Sequence, residues 1–482
     1  MRTLIQGGWV VGFNGQGHEL LRDGVVVYED DRIIHVGYRF DGQADRTIDA
    51  RGKLVSPGFV NCHTHAGSNA AHIFLMDHTK ADYFGSNFIG YGAGRRGAGN
   101  SRSKERVDPE QKYGLWAAIR GGATTVLDVG TRFPEPFLEM VAGLGARVYI
   151  GPGYRSSAYA FDDEGRVLWE PDEAAGLAGL ERAVAFAKQY DGAQDGRVRC
   201  MLFPGQLDTC TEELLRATRR AADETGLKIS LHVAMNQVEF YKILNETRRT
   251  PIEYVQSIGF LGPDVLLGHC VFHNRHSWCH YPYGDDLKIL ADSGASVAHA
   301  PYKYAKMGIM LESLARYRAL GINVCLGTDT FPEDMIAEMR IAGAMCRFAD
   351  GNFRVGSPHE VFDCATLAGA KFLGRDDLGR LAPGAKADLL IINLTGTAYG
   401  AVRDPIKSLV DGGSERDIET IVVDGRTLVE NRQPQVLDEA ALLREIQESA
   451  EQMWAEVPTW HWRGASVDEM VPLSYPLRAA DR

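Results

Sequence analysis

Hydrophobic and polar positions divide the chain into two textures. Short β-rich runs fill both ends. Near the start they are Leu4–Ile5, Gly24–Val25–Val26–Val27–Tyr28, Arg32–Ile33–Ile34–His35–Val36–Gly37 and Thr47–Ile48–Asp49–Ala50. After residue 382 the same texture returns in Ala387–Asp388–Leu389–Leu390–Ile391–Ile392 and Thr420–Ile421–Val422–Val423–Asp424–Gly425–Arg426. Turn residues such as Glu29-Asp30-Asp31 and Asp41-Gly42 separate the runs, so each reads as a strand. Two β-rich ends around a different middle predict one small β-sandwich domain, built from residues 1–57 and 382–436.

The middle, residues 58–381, alternates strand-like with helix-like segments. Strands are expected at Leu54–Val60, Thr124–Val129, Arg147–Ile150, Val198–Phe203, Lys228–His232, Val265–His269, Ala295–Ala300 and Asn323–Gly327. Amphipathic stretches such as Glu212–Thr225 and Leu311–Leu320 lie between them. About 320 residues and eight repeats fit a TIM-type (β/α)8 barrel, which does its chemistry at the carboxyl ends of its strands. A doubly wound open sheet competes, but no glycine fingerprint follows the early strands. Residues 437–482 read as a helix running to Trp454 and then a tail rich in aromatics and proline (Trp460, Trp462, Tyr475, Pro476). Exposed, that tail would be an apolar liability, so it is expected to pack on its own barrel or on another subunit of a homo-oligomer, a dimer or tetramer.

Composition narrows the partners. A net charge of −12 over 482 residues argues against nucleic acid and anionic membrane surfaces. The basic cluster Arg95, Arg96, Arg102, Lys104 and Arg106 is a local exception, read as a solvated or substrate-facing loop. No run approaches the roughly 20 apolar residues of a membrane span, and the first residues lack a signal peptide's apolar core. Eight scattered cysteines without a CxxC spacing fit reduced, mostly buried thiols in a cytoplasmic protein.

Chemistry concentrates at the predicted strand ends. His63 and His65 are two apart, so they project together from the first strand, and imidazole is the commonest ligand for a catalytic transition metal. His232 ends the fifth strand, His269 the sixth, and Asp329 follows the eighth. Singly, each reads as an ordinary core histidine or a capping aspartate. All on the face where barrels react, they predict a catalytic metal site.

At these residues the chain resembles a known family. Pro57-Gly58-Phe59-Val60-Asn61-Cys62-His63-Thr64-His65 is similar to the first-strand signature of the metal-dependent amidohydrolase superfamily. Leu231-His232, Gly268-His269-Cys270, Gly327-Thr328-Asp329 and the closing Gly379–Leu390 segment match later elements, from about residue 1 to 436. The resemblance implies that His63, His65, His232 and Asp329 bind one divalent ion per subunit, zinc before iron or cobalt. It implies that His269 polarises the substrate or the attacking water, and that Asp329 orients the water activated by the metal and accepts its proton. Binuclear relatives use a lysine after the fourth strand. Here Val198–Gln206 contains none, which fits a single ion.

One position departs from the pattern. Deaminating and dechlorinating members carry a proton-shuttling glutamate three residues after the fifth-strand histidine, and Met235 stands there. A thioether transfers no proton. Glu239, a helical turn further on, is expected to be solvated or capping. The chain therefore resembles the phenylurea and molinate hydrolase subgroup, which also lacks the glutamate. That implies cleavage of an amide, urea, carbamate or thiocarbamate, with Asn236 holding substrate or water. The alternative is an aminohydrolase or chlorohydrolase of a triazine, pyrimidine or purine, with another group replacing the shuttle. Arg155, Gln206, His299 and Tyr302 are candidate substrate contacts, with Lys303 beside them. The long connection 66–108, with Phe84, Phe88, Ile89 and Tyr91, is expected to form a lid or a subunit contact. His72, His78, His273, His276 and His280 have no partners at ligand spacing and read as non-ligands.

Overall fold

The computed structural model describes residues 1–75, 94–95 and 104–478. The expected lid residues Phe84, Phe88, Ile89 and Tyr91 and the histidine His78 lie outside the described residues, as do Arg96 and Arg102.

Eight parallel strands form the central sheet in chain order: Phe59–Thr64, Ala123–Thr131, Arg147–Pro152, Val198–Leu202, Lys228–Val233, Val265–His269, Ser296–His299 and Asn323–Leu326. The last returns to the first. Asp329 N–H donates to His63 O at 2.8 Å, and His65 N–H donates to Asp329 O at 2.9 Å. Two of the candidate ligand segments are thus stitched together where the barrel closes. Val60, Leu127, Val129, Met201, Phe203, Leu266 and Cys325 fill the barrel interior, as a packed core rather than a pore. A larger apolar layer lies between the strands and the surrounding helices. Helix boundaries follow local chemistry. Glu212–Thr225, for example, starts where the Thr211 side chain accepts from Leu214 N–H and stops at Gly226, whose φ of 71° suits a residue without a Cβ.

The chain ends contribute one nine-stranded sheet around its own apolar cluster of Ile5, Val26, Ile33, Leu389 and Val422. This sheet corrects one expectation. Leu54–Val60 is not a single strand, because Lys53–Pro57 pairs antiparallel with Leu389–Asn393 in the end sheet, whereas Phe59–Thr64 enters the barrel. Gly58 is the break. A Cβ there would sit 2.1 Å from the Thr124 side chain, so the switch between sheets requires glycine.

Buried charge joins the two sheets. The Arg147 guanidinium, on the third barrel strand, donates to Asp388 and, at 2.8 Å, to Asp424. Lys386 also reaches Asp424, at 2.7 Å. An antiparallel hairpin, Ser157–Phe161 with Val167–Pro171, follows the third strand and was not expected from the sequence.

The terminal helix runs from Glu439 to Trp460. Its Met453, Val457 and Trp460 pack with Ala71, and Trp462 lies against Phe161, so the aromatic tail covers its own chain. Tyr475 stays 83% exposed. All eight cysteines are free, and only Cys210 is not fully buried. Among the described residues no helix is long and apolar enough to cross a membrane.

Candidate metal centre

The four predicted ligands, far apart in sequence, converge at the carboxyl ends of three strand segments. His232 Nε2 lies 3.1 Å from His63 Nε2 and 3.3 Å from His65 Nε2. Asp329 Oδ1 lies 3.6 Å from His65 Nε2, and Oδ2 lies 3.2 Å from His269 Nε2. Potential ligand atoms of His63, His65 and His232 fall within 4.8 Å of one another, as do those of His63, His269 and Asp329; no other such group occurs among the described residues. His273 and His276 are buried elsewhere and belong to neither group.

Local backbone builds this convergence. Gly327 packs on the first strand so closely that a Cβ would sit 2.7 Å from both N and O of His63. Asp329 itself adopts φ of +61°, which aspartate tolerates better than most residues, and Ala234 and Cys270 are left-handed just beyond His232 and His269. Such conformations persist only where the surroundings enforce them, and they cluster at functional sites.

The donor chemistry suits a divalent ion. Nδ1–H of His65 donates to Val129 O at 2.8 Å, since a carbonyl can only accept, and this leaves the Nε2 lone pair free to face its neighbours. Burial lowers the His63 pKa to about 3 and holds those of His65, His232 and His269 below the ordinary value, so these rings are neutral near pH 7. Burial works against ionisation of Asp329, but Lys303 and the surrounding histidines outweigh it and keep the carboxyl below its usual range. Nδ1 of His63 and both ring nitrogens of His269 have no hydrogen-bond partner despite burial. Neutral imidazoles with converging lone pairs beside an ionised carboxylate fit a cation better than they fit one another.

The supporting residues are mostly ones that sequence reasoning missed. Asp128 accepts from Ala66 N–H at 2.8 Å and from the Thr131 hydroxyl, holding the turn after His65; burial raises its carboxyl to about 6. Glu333 lies beneath Thr64 and Thr328, its carboxyl pushed up to about 7 by burial. Lys303, expected only as a specificity residue, donates to Asp329 Oδ2 at 2.6 Å. His299 is buried, with Nδ1 unpartnered and its pKa lowered to about 3 by burial.

The remaining candidates sit among other partners, and Glu239 differs from one expectation. Glu239 is not solvated. It is fully buried, and its carboxylate accepts from Ala234 N–H at 2.7 Å and Met235 N–H at 2.9 Å, so an acid does lie beside Met235. Asn236 uses its side-chain oxygen to cap the helix Gln237–Thr247, accepting from Glu239 N–H at 2.9 Å. Only its amide nitrogen remains unpartnered. Gln206 donates to Asp208 at 2.8 Å and to the Tyr159 hydroxyl, within a cluster that the unexpected hairpin completes. Arg155 is exposed and has no ion pair among the described residues. The Tyr302 N–H donates to Glu338 at 3.0 Å, and its ring lies near Lys306.

Residues 54–428 match the model of the amidohydrolase family. The chain belongs to that family. As an amidohydrolase it is a metal-dependent hydrolase with a small-molecule substrate. It is 28% identical to a 5'-deoxyadenosine deaminase of Methanosarcina mazei, over 91% of this chain and 95% of that protein. It is 30% identical to another 5'-deoxyadenosine deaminase, of Methanothermobacter thermautotrophicus, over 89% and 94% of the two chains. In fold it is similar to a zinc complex of atrazine chlorohydrolase from Arthrobacter aurescens TC1, with TM-score 0.78 and 24% identity over 93% and 100% of the chains. Both of these sequence relatives are 5'-deoxyadenosine deaminases. They lend no support to the phenylurea and molinate subgroup.

Proposed function

We propose that this amidohydrolase uses one divalent ion, zinc first, to replace an exocyclic amino or halide substituent on a nitrogen heterocycle by hydroxyl. What supports this reading is the similarity to 5'-deoxyadenosine deaminases over most of both chains, joined to the two overlapping ligand groups His63/His65/His232 and His63/His269/Asp329. The alternative drawn from the sequence therefore replaces its main reading.

A divalent ion held by these four side chains would supply a Lewis acid that makes water nucleophilic near neutral pH. The chain's own groups do the rest. Asp329, ionised and fixed by its backbone bonds to the first strand, orients the attacking water and takes its proton. His269, buried 3.2 Å from Asp329, faces the same space and hydrogen-bonds to the ring atom where negative charge develops. Lys303, beyond the seventh strand, reaches the site through Asp329, and His299 acts electrostatically on His269.

Met235 still favours a second reading, attack on the carbonyl of a urea, amide or thiocarbamate, which needs no proton delivered to a ring. Zinc-loaded protein should be assayed against 5'-deoxyadenosine, 5-methylthioadenosine and a chlorotriazine, alongside an anilide, a phenylurea and a thiocarbamate. Ammonia or chloride release that stops with chelator is the expected result. Aniline or thiol release without ring turnover would overturn the heterocycle reading in favour of the second.

A further inference from the structure

The metal-ligand segments share one buried acid that the proposed chemistry does not use. Glu333 Oε1 accepts from the Thr64 hydroxyl at 2.8 Å, and Thr64 sits between His63 and His65. Glu333 Oε2 accepts from the hydroxyl of Thr328, the residue just before Asp329. Asn61 closes the network. Its Nδ2 donates to Thr328 Oγ1 at 2.7 Å and to Glu333 Oε2 at 3.4 Å, while its Oδ1 accepts from Thr328 N–H at 3.1 Å and His63 N–H at 3.4 Å. All four residues are buried. The backbone of Glu333 is itself braced. Its carbonyl packs so tightly on Gly121 that a Cβ there would lie 1.7 Å away, and the Met335 N–H donates to Gly121 O at 3.3 Å.

We propose that Glu333 is a positioning residue of the metal centre: through Thr64 and Thr328 it sets the spacing between the His63/His65 pair and Asp329. This inference rests on the reading that those residues hold the ion. The physical reason is leverage. His63, His65 and Asp329 each leave the backbone within one residue of a hydroxyl held by Glu333, so a small shift of either hydroxyl moves a ligand. The two carboxyl oxygens accept from both hydroxyls and fix both rotors, whereas an amide has a single oxygen to offer. Groups behind the ligands commonly control metal affinity by about 10–100-fold.

The test is zinc affinity, measured by competition with a chromogenic chelator on the full chain, together with the visible absorption spectrum of the cobalt-substituted protein. Glu333→Gln should weaken zinc binding about tenfold and Glu333→Ala towards a hundredfold. Thr64→Val, which keeps the shape and removes one bond, should fall between wild type and Glu333→Gln. At full cobalt occupancy the Glu333→Ala spectrum should differ from wild type, a change that loss of stability alone would not produce. If Glu333→Ala fails to fold, Glu333→Gln and Thr64→Val decide the matter. Wild-type zinc affinity and cobalt spectrum in the Glu333 and Thr64 variants would overturn the proposal. His232→Ala separates the two levels: tight zinc retained there would overturn the metal-centre reading itself, whereas zinc lost there but kept in the Glu333 variants would overturn this inference alone.

Discussion

The ammonium of Lys303 lies 2.6 Å from Oδ2 of Asp329, and both side chains are buried. A lysine thus offsets the charge of this buried carboxylate. Lys303→Met should leave an uncompensated buried charge and cost the metal-free protein about 3–5 kcal/mol. Zinc-loaded protein should lose less, because the ion supplies the missing charge. Urea denaturation with and without zinc measures the difference.

The buried, neutral histidines predict a directed pH response. His63 and His299 have folded-state values of about 3 against an ordinary 6.5, lowered by burial. The unfolded chain therefore binds more protons between those limits, and stability falls as pH drops through that window. Thermal melts of metal-free protein should be flat above pH 7 and decline progressively from pH 6.5 towards pH 4. A melting temperature constant down to pH 4 would contradict the assignment of neutral, desolvated rings.

Close packing behind His63 predicts the effect of a single methyl group. In Gly327→Ala the new Cβ would meet backbone atoms of His63 at 2.7 Å, which cannot move aside as a flexible side chain would. Overpacking of this kind costs about 1–3 kcal/mol. Here it should also displace the first ligand pair. Elemental analysis should show sub-stoichiometric zinc in Gly327→Ala even where the protein remains folded by circular dichroism.

The Arg147 network predicts stability without chemistry. Arg147→Ala strands Asp388 and Asp424 in the interface between barrel and end sheet, leaving Lys386 and Arg197 as partial partners for Asp424. Breaking such a buried pair costs about 3–5 kcal/mol. The denaturation midpoint should fall, while turnover per folded, zinc-loaded molecule at low temperature should stay near wild type.

Much of the centre was legible in the sequence because strand periodicity and strand ends are local signals. His63, His65, His232, His269 and Asp329 each follow an apolar run, and the barrel brings run ends together. What surrounds them was not legible, for physical reasons. Glu333 reaches Thr64 across a separation of 269 residues, and Lys303 meets Asp329 only once two neighbouring strands are paired. The apolar run Leu54–Val60 hides a change of sheet that periodicity cannot register; Pro57-Gly58 was the only local sign of it. Glu239 reads as solvated or capping when its charge is weighed alone, and only the solvated half of that fails. The left-handed turn at Ala234 aims two backbone N–H groups at its carboxylate. Gln206 was expected at the substrate, but the Tyr159 hairpin that draws it to Asp208 carries no strong pattern of its own.

Anomalous diffraction at the zinc absorption edge, from crystals of zinc-loaded protein, would locate the ion itself. One strong peak per chain is expected within bonding distance of His63, His65, His232 and Asp329. No peak among these four side chains, or a single zinc bound elsewhere in a catalytically active crystal, would contradict that expectation.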